Sequence, residues 1–113
     1  MIIGAHAIIY STNSEVDRAF FRDVLKFKHV DAGGGWLVFG MPPVEAAFHP
    51  AESNGKHEFY LMCENIENFI SRMTELNVPC TDIHEEPWGR LVNITLPGGG
   101  PLGVYQPKHD RPA

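Results

Sequence analysis

The chain has 113 residues, of which 43% are hydrophobic and 20% are charged, and its formal net charge is −5. This length and composition predict one compact domain with a core of its own. Nucleic acid is excluded as a partner, because neutralising phosphates needs clustered lysines and arginines and the sequence contains no such run. Residues 1–10 have neither a basic leader nor a long apolar stretch, which predicts no signal peptide, no membrane partner and a cytoplasmic location.

The first half of the chain is predicted to contain a strand, a helix and three further strands. Residues 1–10 are apolar and rich in isoleucine, which is typical of a strand. Residues 11–14 then offer N-cap side chains, and Asp17 lies three positions after Ser14 as an imperfect capping box. Apolar residues follow at helical spacing. Three short β-prone runs come next, at residues 28–31, 36–40 and 44–49.

The second half repeats this order. Residues 57–63 resemble a strand, Asn65 is a suitable N-cap, and apolar side chains from Ile66 to Leu76 mark one face of a helix. Asn77 and Pro79 end that helix. The last three β-prone runs lie at residues 80–85, 91–96 and 102–106, and a turn rich in glycine and proline joins the final two. The polar tail at 108–113 is expected to fray.

The element order predicts one α+β domain made of two βαβββ repeats with one helix in each. The first repeat spans about 1–53 and the second about 54–107, so the two helix caps lie about half a chain apart, as an internal duplication requires. Two such units are predicted to form a cupped, mostly antiparallel eight-stranded sheet. Its helix-free face would curve around a small-molecule ligand.

The opening residues resemble those of a known superfamily. His6 begins an apolar segment, and Asp17, the pair Phe20–Phe21 and the run 23–25 follow in order. This order is similar to the start of the vicinal oxygen chelate superfamily of glyoxalases, bleomycin-resistance proteins and extradiol dioxygenases. Lys26 stands where the superfamily typically has glycine, and residues 89–107 look like its last hairpin. The resemblance implies a homodimer, because the cups of that superfamily are commonly completed by a partner chain.

The resemblance also implies where a divalent metal would bind. Metal-using relatives bring together a His from the first strand, a His from the fifth and a Glu from the eighth, and some add a Glu from the fourth. His6 matches the first position, Glu45 the fourth-strand position, and either His57 or Glu58 the fifth-strand position, depending on register. Gly103 replaces the usual glutamate and offers no ligand. The alternatives are therefore a three-ligand metal site, or a polar cluster with no metal and no other cofactor.

Aromatic side chains on the helix-free face are predicted to form the wall of the cup. Strand alternation sends Glu58, Tyr60 and Met62 to the cup, and residues 59, 61 and 63 to the helix. Arg90 could contact an anionic group on the ligand, or it could be a rim residue. The predicted ligand-binding residues are Trp36, Phe48, Tyr60, Met62, Trp88, Arg90 and Tyr105. The alternative is that these rings fill the core or a dimer interface.

Two functions, and a third possibility, follow from these features. The first is a glyoxalase/bleomycin-resistance type of binding protein that holds an aromatic or antibiotic-like ligand without a metal. The missing carboxylate at Gly103, the small size and the aromatic content favour it. The second is a metal-dependent lyase, thiol transferase or ring-cleaving dioxygenase that uses His6, Glu45 and His57 or Glu58. The third is a protein whose ancestral site has decayed, leaving an interaction role.

Overall fold

The computed structural model describes residues 6–45 and 47–112, which form an α+β fold with two helices and six strands. Each helix has ten residues, and no helix in this part of the chain is long and apolar enough to cross a membrane. The elements in chain order are α1 (Ser14–Asp23), β1 (His29–Asp31), β2 (Leu37–Phe39), β3 (Tyr60–Met62), α2 (Ile66–Glu75), β4 (His84–Glu86), β5 (Gly89–Thr95) and β6 (Pro101–Pro107).

The second predicted repeat is present in full, as β3, α2, β4, β5 and β6. Its four strands form one sheet in the order β3-β6-β5-β4, in which β3 runs parallel to β6 and the other pairs are antiparallel. Asn65 caps α2, and its side chain accepts a hydrogen bond from the backbone N–H of Asn68 at 2.9 Å. Asn77 adopts a positive φ of 58° just after the helix, as a helix-ending residue does.

The first repeat differs from the prediction. β1 and β2 form a separate two-stranded sheet, so the described residues contain a two-stranded and a four-stranded sheet instead of one eight-stranded cup. Residues 6–10 have no strand, and the rest of that predicted strand lies outside the described residues. No strand occurs at 44–45 or 47–49 either. Prolines at 42, 43 and 50 surround the latter segment, and each lacks the N–H that a strand ladder needs.

Both helices contribute to the core on one face of the four-stranded sheet. Ile66 of α2 is fully buried with Val92 and Val104 of the sheet. A second cluster joins both helices to the hairpin of β5 and β6, and it consists of Phe20, Phe21, Met73, Ile94, Leu96 and Leu102. Phe59, Leu61 and Cys63 pack against these clusters, in agreement with the predicted alternation of β3. The opposite face of the sheet has no helix against it among the described residues.

Hydrogen bonds fix the start of α1 to the hairpin of β5 and β6. Asn13 is the N-cap, so the predicted capping box of Ser14 and Asp17 is wrong. Asp17 instead accepts hydrogen bonds from the hydroxyl of Ser11 at 2.6 Å and from the backbone N–H of Gly98 at 2.8 Å. A charged acceptor with two donors joins the two repeats more firmly than a local cap would.

Replacing Lys26 with glycine should raise the free energy of unfolding by about 0.5–1 kcal/mol. Lys26 is exposed and has a φ of 62°, a left-handed conformation that glycine adopts without steric cost. This position is the one at which the superfamily pattern has glycine. Urea denaturation would measure the change, with Lys28→Gly as the control. Lys28 is also exposed but has no positive φ, so its replacement should not stabilise the protein.

Candidate functional site

Three aromatic rings form a cluster on the helix-free face of the four-stranded sheet. Tyr60 of β3, Tyr105 of β6 and Trp88, which immediately precedes β5, make up this aromatic cluster. The ring centroids are 5.0 Å apart for Trp88 and Tyr105, 6.0 Å for the two tyrosines, and 6.1 Å for Tyr60 and Trp88. The two contacts of Tyr105 are edge-to-face, a favourable geometry for aromatic rings. Trp88 is 38% exposed and the tyrosines are half-buried, so the cluster is accessible to a ligand.

Two glycines make room for the tyrosine rings. Tyr60 lies opposite Gly103 in the parallel ladder, and a Cβ at Gly103 would come within 2.6 Å of its Cε1 atom. A Cβ at Gly89 would lie 2.7 Å from Cδ2 of Tyr105. Both distances are too short for real contacts, so each ring rests directly on glycine backbone. The aromatic cluster therefore depends on Gly89 and Gly103 having no side chain.

One carboxylate contacts the aromatic cluster directly. The hydroxyl of Tyr60 donates a hydrogen bond to Glu58 at 2.7 Å, and this bond holds the pKa of the Glu58 carboxyl below its usual range. The same bond, with burial as a smaller cause, raises the pKa of Tyr60 to about 12. Burial, and then the charge of Glu45, raise the pKa of Tyr105. At neutral pH the cluster therefore presents neutral phenols, one of them bonded to the ionised carboxylate of Glu58.

In an alkaline titration, Tyr60 should ionise about two pH units above the ordinary tyrosine value of about 10. The pKa is higher in the folded chain than in the unfolded one. The hydrogen bond to Glu58 therefore contributes its full stabilisation below pH ~10 and loses it as the pH rises through about 12. Tyrosinate absorbance would follow this step, which should disappear in Tyr60→Phe. Glu58→Gln should shift the step toward pH ~10; an unshifted step would show that the hydrogen bond is not its cause.

The C-terminal residues cross this part of the sheet instead of fraying. The backbone N–H of Lys108 donates to the carbonyl oxygen of Trp88 at 2.9 Å. Nε2 of His109 lies 3.2 Å from the hydroxyl of Tyr105, and Arg111 forms an ion pair with Glu45. The prediction of a frayed tail is therefore wrong for residues 108–111.

The structure brings only some of the predicted ligand-binding residues together. Met62 is half-buried and lies opposite Tyr105 in the ladder of β3 and β6, next to the cluster. Trp36 is 61% exposed. The guanidinium of Arg18 on α1 stacks over its ring, with the Cζ atom of Arg18 4.8 Å from the ring centroid. Phe48 is fully exposed and belongs to no strand. Contact of any of these side chains with a ligand stays a prediction.

Arg90 lies on the opposite face of the sheet, which corrects its placement in the cup. Its guanidinium pairs with Glu67 of α2 at 2.8 Å and with Glu85 at 2.7 Å. Gln106, its partner across the ladder, also faces α2, since its side chain accepts from the backbone N–H of Ile66 at 2.9 Å. Arg90 and buried Val92 are two positions apart in β5, so their side chains point to the same face of the sheet, the helix side. It is not part of the aromatic cluster.

Among the described residues, the structure does not bring three of the predicted metal ligands together around one point. His6 is exposed, Nδ1 of His57 lies 3.1 Å from the carbonyl oxygen of Gly55, and Glu45 and Glu58 are engaged by Arg111 and Tyr60. Within residues 6–45 and 47–112, no three His, Cys, Asp or Glu side chains are arranged to hold an ion. The ring of Tyr60 also occupies the space above Gly103 that a glutamate side chain would need. At this point of the sheet an aromatic ring therefore fills the space beside Gly103.

A separate groove lies away from the aromatic cluster. It is an open depression of about 670 Å³ between α2 and the segment that leads to β4, and Thr74, Asp82 and Ile83 are among its lining residues. None of the predicted site residues lines it. Its position on the helix side separates it from the carboxylates and rings described above.

Sequence reasoning missed three contributors to the site. The sequence pattern indicates Gly89 only as part of a hairpin, although a glycine in a strand can signal close approach of another group. His109 and Arg111 fall within the tail that the sequence predicts to fray. Their contacts depend on residues far away in the chain, Arg111 with Glu45 across 66 positions, and no local pattern could have indicated them.

Comparison with solved structures identifies the fold. TnmS3, an antibiotic binding protein from Streptomyces sp. CB03234, superposes with a TM-score of 0.67 at 19% identity, covering 96% of this chain and 99% of that one. The lactoylglutathione lyase from Agrobacterium tumefaciens gives 0.67 at 19% identity, covering 92% of both chains. A glyoxalase/bleomycin resistance protein from Streptomyces sp. CB03234 gives 0.57 at 19% identity, covering 85% of this chain and 93% of that one. The chain has the glyoxalase/bleomycin-resistance fold.

This is the fold that the resemblance noted in the sequence implies. No protein-family model and no curated protein matches the chain. The solved structures include both a binding protein and a lyase. Since one fold supports different functions, the choice between them depends on the residues of the site.

Proposed function

We propose that this protein binds a flat aromatic, antibiotic-like small molecule on the aromatic cluster, without a metal. The observation that supports it most strongly is the accessible cluster of Tyr60, Trp88 and Tyr105, seated on Gly89 and Gly103. A flat wall of rings with a few polar groups at its edge suits a planar ligand. The antibiotic-binding protein with the same fold is consistent with this role.

A second copy of the chain is proposed to complete the site as a homodimer. The accessible surface is 8847 Å², whereas a compact monomer of this mass exposes about 6,200 Å². The radius of gyration, 15.0 Å, is likewise larger than the ~13 Å of a compact domain of about this length. Exposed apolar side chains are concentrated in the first half of the chain, at Ile8, Tyr10, Val30, Trp36, Val44 and Phe48. The excess surface is enough for a stable dimer interface.

The proposal is tested by titrating planar polycyclic aromatic antibiotics against the Trp36→Phe variant, in which Trp88 is the single tryptophan. Quenching of Trp88 that saturates supports binding at the cluster, and no quenching by any compound up to its solubility limit would contradict it. Sedimentation velocity before and after ligand addition tests the homodimer, and a monomer throughout would contradict that part.

Metal analysis distinguishes the alternative function. The untagged protein is equilibrated with manganese, iron, nickel and zinc in turn, and the bound metal is measured. Near-stoichiometric metal that is lost in His6→Ala would overturn the metal-free proposal. It would favour a metal-dependent lyase, thiol transferase or ring-cleaving dioxygenase instead.

A further inference from the structure

Residues 109–111 form a short strap that begins beside the aromatic cluster. β6 ends at Pro107, and the chain bends at residues 108 and 109. Lys108 fixes the start of the strap, because its backbone N–H donates to the carbonyl oxygen of Trp88 at 2.9 Å and its ammonium contacts the carbonyl oxygen of Glu86 at 3.0 Å. Within the described part of the chain, residues 109–111 make no backbone–backbone hydrogen bond. Side chains alone therefore hold the strap in place.

The first of these side chains, His109, covers the hydroxyl of Tyr105. Nδ1 of His109 lies 2.9 Å from the carbonyl oxygen of Asp110, which can only accept, so Nδ1 carries the proton of the neutral ring. Nε2 is then an acceptor, and the hydroxyl of Tyr105 donates to it at 3.2 Å. The two ring centroids are 6.1 Å apart. A ligand that contacts this edge of Tyr105 has to displace the imidazole.

The far end of the strap is held by one ion pair. Arg111 pairs with Glu45, which lies 66 positions away in the chain. The side chain of Arg111 is 48% exposed. An ion pair with so exposed a partner stabilises little, because water screens the charges and both side chains lose freedom. The strap is thus attached by backbone at one end and closed by a weak contact at the other.

We infer that the strap is an autoinhibitory gate. It covers the hydroxyl edge of Tyr105 while Arg111 is paired with Glu45, and a planar ligand reaches that edge only after the strap opens. Opening releases the contacts of His109 and Arg111, while Lys108 remains attached. This inference rests on the proposed function and adds how access to the aromatic cluster is controlled. The gate acts on a ligand of any charge.

The gate lowers affinity by an amount that can be measured. When only open molecules bind, the observed Kd is the intrinsic Kd divided by the open fraction. One neutral hydrogen bond and one exposed ion pair together favour the closed strap about tenfold. Removing the ion pair alone should therefore raise the open fraction about threefold.

The first experiment measures the gate without a ligand. N-acetylimidazole acetylates accessible tyrosine hydroxyls, and peptide mass spectrometry gives the rate at each tyrosine. Tyr10 is 92% exposed and serves as the internal reference. Arg111→Ala should raise the rate at Tyr105 relative to Tyr10 about threefold. His109→Ala should raise it as well, because it removes the group that covers the hydroxyl, whereas the rate at Tyr60 should not change in either variant.

The second experiment measures affinity for quinoline, a neutral planar compound whose binding does not depend on the charge of residue 111. Quenching of Trp88 is followed in the full chain with Trp36→Phe. Arg111→Ala should tighten quinoline binding about threefold, and His109→Ala should also tighten it. Arg72→Ala is the matched control, because Arg72 forms an exposed ion pair with Glu75 within α2. It should change neither the acetylation of Tyr105 nor the affinity.

Three results would overturn the gate. They are unchanged acetylation of Tyr105 in Arg111→Ala, unchanged quinoline affinity in that variant, and weaker quinoline binding in His109→Ala, which would make His109 part of the binding surface. A different result rejects only the proposed function. If acetylation responds as expected but neither quinoline nor the polycyclic compounds quench Trp88 in any variant, the strap still gates Tyr105 and the aromatic ligand is wrong.

Discussion

Gly103→Ala should lower the free energy of unfolding by about 1–3 kcal/mol, the usual cost of overpacking. The new Cβ would come within 2.6 Å of Cε1 of Tyr60. The ring has little freedom to move away, because Trp88 and Tyr105 pack against it and its hydroxyl is bonded to Glu58. Either the strands separate or the ring leaves the cluster, and both lose contacts. Urea denaturation of the purified variant measures the change.

Gly100→Ala is the control for this substitution, since a Cβ at Gly100 has no atom within 4 Å and its φ is not positive. Its effect should be within about 0.5 kcal/mol, as for most surface substitutions. Tyr60→Ala removes the obstructing ring, so adding Gly103→Ala to it should cost much less than in the original chain. Equal costs in the two backgrounds would show that Tyr60 does not explain the glycine.

Gly103 explains both the missing carboxylate and the position of the Tyr60 ring. Gly103 was recognised from the sequence as the missing carboxylate, but its structural reason was not visible there. Tyr60 and Gly103 are 43 positions apart and meet only because β3 pairs with β6. The absence of a carboxylate and the presence of a ring at this point are therefore one feature. This feature supports the proposed binding of an aromatic ligand without a metal.

The second repeat was predictable because its signals are local. Asn65, the apolar face of α2 and the alternation of β3 each depend on neighbours a few positions away, and each is found in the structure. The strands predicted at residues 1–10 and 44–49 would need partners far away in the sequence. Prolines at 42, 43 and 50 flank the second of these segments. Arg90 is predicted in the cup because it lies beside Trp88 in the sequence, but Trp88 precedes β5 and does not follow its alternation. Arg90 and Val92 are two positions apart within β5, so both side chains point to the helix side of the sheet.

Trp88→Ala should weaken binding of an aromatic ligand about tenfold or more, a loss of ~1.4 kcal/mol or greater, as truncation of a tryptophan in a binding surface typically does. Trp88 contacts both tyrosines of the cluster but is 38% exposed, so the ring contributes ligand contact area as well as packing. Calorimetric titration measures the affinity, and cooperative urea unfolding verifies that the variant is folded. Leu76→Ala is the matched control, because Leu76 is about as exposed, at 37%, but lies at the C-terminal end of α2 on the helix side, and the affinity of this variant should stay within about twofold of the original. An equal loss in the two variants would mean that the ligand does not select the aromatic cluster, whereas a loss confined to Trp88→Ala assigns it to this face of the sheet.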